Sequence, residues 1–154
     1  MRINLGCGHE PLEGYVNVDK YADEADWKGD ALTASFEQVQ EVVAYHFLEH
    51  INPFDAAVLL TRVHAWMRSG GTLEVEVPDM EEILGQGTAL RGWAIYIYGS
   101  QEHEGEIHRW GYTLETLEQT IKSAGWIVDE GRRFYSREDQ RKGMPCILVR
   151  AHRK

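Results

Sequence analysis

The sequence predicts an α/β fold: a mostly parallel sheet whose last strand runs antiparallel. Three observations predict it. Short apolar runs alternate with helix-forming segments through the middle of the chain, the order that a parallel sheet with helical crossovers requires. The chain opens on strand, glycine turn, strand and acid, read as Arg2-Ile3-Asn4-Leu5, Gly6-Cys7-Gly8, Tyr15-Val16-Asn17-Val18 and Asp19. It closes on two strand-like runs with no helix between them, and strands joined that way pair only as a hairpin.

In the opening stretch, glycines behind the first strand remove Cβ atoms, so a ligand can approach the backbone. A carboxylate at the tip of the second strand can accept both hydroxyl hydrogens of a ribose. A tight turn carrying an ordinary loop acid fits the same residues. The polar connection His9 to Gly14 is too short for a crossover helix, since a parallel crossover takes about a dozen residues, and at most one helical turn is expected there. From Lys20 to Asp30 the chain is polar and acidic, with a very short third strand expected around Ala25 to Lys28 and a second acidic turn at Gly29-Asp30. Ser35 to Val39 reads as a helical turn, with Ser35 as N-cap and Gln38 completing a capping box.

Glu41 to His46 is unbroken by charge after its first residue, as suits a strand buried on both faces. Phe47-Leu48-Glu49-His50-Ile51 follows at its carboxyl end, and Pro53 opens a helix. Leu59, Val63, Trp66 and Met67 give that helix an apolar stripe through Arg68, with Gly70-Gly71 as its terminator. Thr72 to Val77 alternates strictly and reads as a strand closed by Pro78-Asp79. Met80 to Ser100 is helical in part and interrupted by glycines. Gln101 to Tyr112 is a long loop rich in His, Glu and aromatics, of the kind that forms lids or binding sites. Thr113 caps a helix that buries Leu114, Leu117 and Ile121 and closes at Ala124-Gly125. Trp126 to Tyr135 is a strand, Ser136 to Met144 a polar connector, and Pro145 to Ala151 the last strand.

Composition narrows the function classes. A chain of 154 residues with 43% hydrophobic and 27% charged content reads as one soluble globular domain. No apolar run reaches the roughly 20 residues that span a bilayer, and the N-terminus lacks the apolar core of a signal peptide, so a cytoplasmic protein with no membrane partner is expected. The net charge of −9 argues against a nucleic-acid partner. Cys7 and Cys146 lack metal or redox spacing and read as packing residues of a reducing compartment.

Several stretches, taken together, resemble the class I S-adenosylmethionine (SAM) methyltransferases, whose Rossmann-like sheet has this parallel body and antiparallel last strand. Ile3 to Gly8 resembles the first motif of that superfamily, and Val16 to Asp19 its second strand with the ribose-binding acid. Gly29-Asp30 is similar to the acid that approaches the adenine amino group. Tyr45 to His50 resembles the motif after the fourth strand, in the His-x-Leu-Glu-His form of a small bacterial and phage branch. Arg68 to Leu73 resembles the turn before the fifth strand, and His108 to Trp126 that branch's later segment. The resemblance implies a single SAM-binding domain over residues 1–154. Leu5, Gly6, Cys7, Gly8, Asp19, Lys20, Gly29, Asp30, Ala31, His46 and Phe47 would hold the cofactor, and S-adenosylhomocysteine (SAH) would be its product. The acceptor implied is a small molecule or a glycan. Typical members carry a full helix between the first two strands, and this chain has no room for one.

Methyl transfer from a sulfonium needs an acceptor held in line and, for some acceptors, a base. Histidine suits that role, so His50, His103 and His108 are the catalytic candidates, each also readable as a loop or capping histidine. Trp93, Tyr96, Tyr98 and Trp110 either wall the acceptor site or belong to the core. A non-catalytic SAM-binding module is the alternative, favoured by the short crossover and opposed by the His-rich loop. His46 to His50 also fits H-x-x-E-H, but that zinc-protease pattern needs both histidines on one helix face, so no metal is expected. A nicotinamide domain would need a long helix after its glycines. The Pro145-Cys146 dipeptide opens the final strand and reads as packing.

Overall fold

A computed structural model describes residues 1–136 and 143–154. The expected connector Ser136 to Met144 thus lies largely outside the described residues. Seven strands form one sheet: β1 (Arg2–Leu5), β2 (Val16–Asp19), β3 (Trp27–Lys28), β4 (Val39–Tyr45), β5 (Met67–Pro78), β6 (Ile127–Tyr135) and β7 (Pro145–His152), in the order β3-β2-β1-β4-β5-β7-β6. The pairs β3-β2, β2-β1, β1-β4 and β4-β5 are parallel, and β7 runs antiparallel to both β5 and β6. This is the sheet that the chain's opening and closing runs predict. Strand order reverses between β1 and β4, and ligands of such sheets bind outside the carboxyl ends of the strands at that switch point.

Four α-helices are present among the described residues: α1 (Pro53–Trp66), α2 (Met80–Gln86), α3 (Trp93–Tyr98) and α4 (Leu114–Ser123). Asn52 caps α1 by accepting from the amides of Phe54 and Asp55, and Pro53 stands where its missing N–H costs nothing. One face of α1 buries Ala56, Leu59, Leu60, Val63 and Trp66. Thr113 and Thr116 form a reciprocal capping box at the start of α4, which buries Leu117 and Ile121. The Trp126 indole N–H donates to the Leu60 carbonyl at 3.1 Å and ties the end of α4 to α1.

Two expected elements are corrected. The first helix stops at Trp66, because Met67 already pairs with Val39 as the start of β5. Gly70 is therefore no helix terminator. It lies within β5 at φ 73° and donates to the Arg153 carbonyl. A Cβ on Gly71 would stand 3.1 Å from the Val39 carbonyl, so this glycine lets β5 pass close to β4. The helical turn expected at Ser35 to Val39 also does not form. The turn comes earlier, where Asp30 accepts from the Leu32 amide through its side chain and from the Thr33 amide through its carbonyl, and Val39 is already in β4.

The first crossover contains no helical turn at all. Residues 6–15 return the chain from the end of β1 to the start of the parallel β2 as loop and turns. Their backbone polar groups must still be satisfied, and the buried Asn17 side chain does much of this. Its Oδ1 accepts from the Leu12 amide at 2.8 Å and from Asn4 Nδ2 at 3.0 Å. Its Nδ2 donates to the Leu12 carbonyl and to Asp26. Outside this clamp, the Arg2 guanidinium stacks on Tyr15, whose hydroxyl donates to Glu41 at 2.8 Å. Replacing Asn17 with Ala removes the clamp and leaves the Leu12 amide and the Asn4 side chain short of a partner. Urea unfolding should show a loss of about 2–4 kcal/mol, against a fraction of that for an exposed control such as Glu13→Ala.

Candidate functional site

The carboxyl edge of the sheet carries two adjoining groups of residues. The first is built on backbone. Beyond β1, the amides of Gly6 and Cys7 donate to the Val18 carbonyl at 2.8 and 3.3 Å. The Gly8 amide then donates to Asp19 Oδ2 at 3.0 Å. Asp19 Oδ1 accepts from the amides of Tyr21 and Ala22 at 2.7 and 2.9 Å. A carboxylate offers roughly four lone-pair sites. Three are taken here, and one on Oδ2 remains.

The two glycines of this turn differ. Both are left-handed, at φ 70° for Gly6 and 49° for Gly8. A Cβ on Gly6 would lie 2.3 Å from Phe47 Cδ2, so the Phe47 ring fills that face. Nothing lies within 4 Å of a Cβ on Gly8, which faces open space. Leu5 and Cys7 are buried and present only backbone. Burial, helped by the Asp19 charge, pushes the Cys7 thiol up to about 11, so it stays protonated. On the neighbouring strand ends, the Gly29 amide donates to the Asp19 carbonyl at 2.9 Å, Lys20 stands 3.6 Å from Asp30, and Ala31 is buried.

The second group is built on side chains. The strand expected to include His46 ends at Tyr45, and His46 follows it at φ 49°, a left-handed backbone that is costly for a residue with a Cβ. Its amide donates to the Glu76 carbonyl at 2.8 Å. Its ring lies between two carboxylates, with Nδ1 3.2 Å from Glu49 and Nε2 3.0 Å from Glu76. A carboxylate on each side makes both ring nitrogens donors. Burial works against the charged ring, but the Cys146 thiol, Glu49 and Glu76 outweigh it and raise the His46 pKa well above an ordinary imidazole's. Glu49 is 1% exposed. Burial disfavours its charge, yet its contact with His46 holds it below the usual carboxylate range. Burial keeps the Cys146 thiol protonated.

Above this pair runs the long loop. The amides of Arg109 and Trp110 both donate to the Glu49 carbonyl, while Gly105 and His103 stand against Tyr21 beside Asp19. The loop thus touches both groups of the edge. It brings His108 onto His50, their rings edge-to-face at 4.8 Å. Of the three candidate histidines, these two come together. His103 does not join them. It is exposed, accepts from the Gly105 amide and stands 3.7 Å from Glu106. Burial lowers the His108 pKa, with Glu49 opposing. Among the aromatics, Trp93 and Tyr96 are half-buried, and Tyr98 and Trp110 are about half exposed, so none belongs to the core.

Sequence reasoning overlooked three residues here. Glu49 was visible inside H-x-x-E-H, Glu76 as an alternate position of β5, and Tyr112 as the end of the loop. That His46 joins Glu49 to Glu76 was not visible. A separate cleft of about 280 Å³ lies near Glu41, Thr72, Glu74, Asp129 and Arg150. It sits at the opposite end of β5, and its Arg150 is already paired with Glu74 and Glu130.

No protein-family model matches the sequence, and no curated protein matches it. Solved structures do match the fold. A SAM-dependent methyltransferase from Methanosarcina mazei superposes with a TM-score of 0.69 at 15% identity, over 99% of this chain and 91% of that one. The 1,6-didemethyltoxoflavin-N1-methyltransferase of Burkholderia thailandensis, solved with 1,6-didemethyltoxoflavin and SAH, gives 0.66 at 14% identity, over 99% and 70%. The SAM-dependent methyltransferase SibL gives 0.66 at 15% identity, and this chain spans 50% of its length. The fold is therefore the Rossmann-like fold of SAM-dependent methyltransferases.

The site makes two mutational contrasts. Gly6→Ala must displace the Phe47 ring and should lower the melting temperature clearly. Gly8→Ala meets open space and should cost only about 1 kcal/mol, the backbone penalty of a left-handed alanine. Equal losses for the two would contradict the packing of Phe47 on Gly6. His46→Ala leaves the buried Glu49 and the partly buried Glu76 without their counter-charge. Denaturant unfolding should register a loss of about 3–5 kcal/mol, larger than that for Glu76→Gln.

Proposed function

We propose that this chain is a SAM-dependent methyltransferase acting on a small-molecule or glycan acceptor. One observation carries the reading. Gly8 is open, left-handed and tied by its amide to the Asp19 carboxylate, at the carboxyl ends of β1 and β2 beside the switch point of the sheet. An open glycine beside a carboxylate with one free lone pair fits a nucleoside, because the backbone can be approached closely and a ribose hydroxyl finds an acceptor.

On this reading Gly6, Cys7 and Gly8 hold the cofactor through backbone, Asp19 takes a ribose hydroxyl, and Asp30 with the turn after Gly29 borders the adenine. Leu5, Lys20, Ala31 and His46 complete the cofactor-binding set, and Phe47 walls the pocket over Gly6. When bound, SAM supplies a methyl group already activated on a sulfonium. The chain's own task is to hold the acceptor in line and exclude water. The half-buried Trp93 and Tyr96 suit an acceptor wall. His50 and His108 are the groups placed to act on the acceptor, and His103 is a third candidate at the Tyr21 end of the loop. The Burkholderia fold relative was solved with a small molecule, which supports that acceptor class over a polymer, and the net charge of −9 opposes a nucleic acid. The two free, buried cysteines suit a reducing cytoplasm.

Calorimetry with SAM and with SAH tests the reading. Both should bind, and Asp19→Ala should weaken binding by about 1–3 kcal/mol through loss of a charge-assisted bond. Release of SAH with a small-molecule or sugar acceptor should follow. Absence of binding by both nucleosides would refute the proposal.

A further inference from the structure

Two clusters of metal-ligating side chains stand at the carboxyl edge among the described residues: His46, Glu76 and Cys146, and Glu49, His50 and His108. The first is already satisfied. Both nitrogens of His46 face carboxylates, and the Cys146 thiol stands against the Met144 carbonyl. The second is not. One ligand atom from each of Glu49, His50 and His108 lies within 4.8 Å of the others. Glu49 spends Oε1 on His46, and its Oε2 is buried with no hydrogen-bond partner. The Tyr112 hydroxyl is a second buried group without a partner, and the Glu49 charge acts on it. A buried carboxylate oxygen and a buried hydroxyl are each costly when left without a partner.

We propose that Glu49, His50 and His108 bind a divalent cation of the zinc class, with the Tyr112 hydroxyl facing the ion or a water on it. The hydrogen bonds around the two rings prepare them as ligands. His50 Nδ1 stands 3.2 Å from the Ile107 carbonyl, and His108 Nδ1 stands 2.9 Å from the Tyr96 carbonyl. A carbonyl only accepts, so each Nδ1 carries the hydrogen and each neutral ring keeps its lone pair on Nε2. Orientation of a ligating imidazole by a backbone carbonyl on its far nitrogen is the usual outer support of a metal site. His46 supports the carboxylate ligand in the same way, from the far side of Glu49.

The donor types agree with such an ion. Two imidazoles and one carboxylate suit zinc and its first-row neighbours rather than magnesium or calcium. Three protein ligands leave a coordination position open, the count of a catalytic rather than a structural zinc. His50 and His108 are only half-buried, so the position is reachable beneath the loop. On the methyltransferase reading, the two histidines would then act on the acceptor through the ion. The site itself does not depend on that reading.

Tag-free protein freed of metal with a chelator is titrated with Zn²⁺ by calorimetry and with Co²⁺ by visible absorption, without SAM. One ion per chain should bind, with cobalt bands of low symmetry. His50→Ala and His108→Ala should each weaken binding more than about 10-fold. His152→Ala, at the other end of β7, should not. Circular dichroism confirms that each variant is folded, and His108, on a loop, serves even if Glu49→Gln unfolds the chain. No stoichiometric binding to the wild type, or unchanged affinity in both His50→Ala and His108→Ala, overturns the assignment. A chain that binds SAM but neither metal ion overturns this inference alone.

Discussion

The amide of Asn17 is the interaction on which the rest of this structure depends. A parallel pair of strands normally needs a crossover long enough to hold a helix, and the helix satisfies its own backbone. Here residues 6–15 make the same return without one. Asn17 supplies what the helix would have: a donor and an acceptor for Leu12, together with bonds to Asn4 and Asp26 that join β1, β2 and the segment before β3. With that connection closed, Gly8 and Asp19 stand side by side at the strand ends.

The carboxyl edge divides by chemistry. On the β1–β2 side almost every contact is backbone to backbone or backbone to Asp19, which suits recognition of a fixed polar outline. On the β4–β5 side the His46 ring bridges two carboxylates, and the amides of the long loop close on the backbone of the buried Glu49. Phe47 separates the two, its ring on Gly6 and its neighbours in chain carrying Glu49 and His50. The long loop touches both sides, at Tyr21 and at Glu49. Its position explains why its histidines differ. His108 enters the charged side, while His103 stays exposed over the backbone side.

Local chemistry made much of this legible. The capping residues Asn52-Pro53 and Thr113 mark helix starts because their side chains act on the next few amides. The strand character of Glu41 to Tyr45 and of Thr72 to Val77 is written in period and apolarity. Where a distant partner decides, local reading fails. Gly70-Gly71 looks like a helix stop, but the helix ends earlier because Met67 finds Val39 and the chain end finds Gly70. Ser35 looks like a cap, but β4 claims Val39 before a turn of helix can form.

The sequence by itself determined the class of sheet, its antiparallel last strand, the missing crossover helix, and the glycine turn and acid at its opening. All of these follow from periodicity, glycine placement and connection length, which are properties of neighbours in the chain. Only the tertiary structure decided which glycine is open and which is covered, how many lone pairs Asp19 keeps, and that Glu49 meets His46, His50 and His108. Several of those outcomes join residues far apart in sequence, such as Gly6 with Phe47, His46 with Glu76 and His50 with Ile107. Their chemistry is fixed by burial, which removes water as the partner and so forces each polar atom to find another.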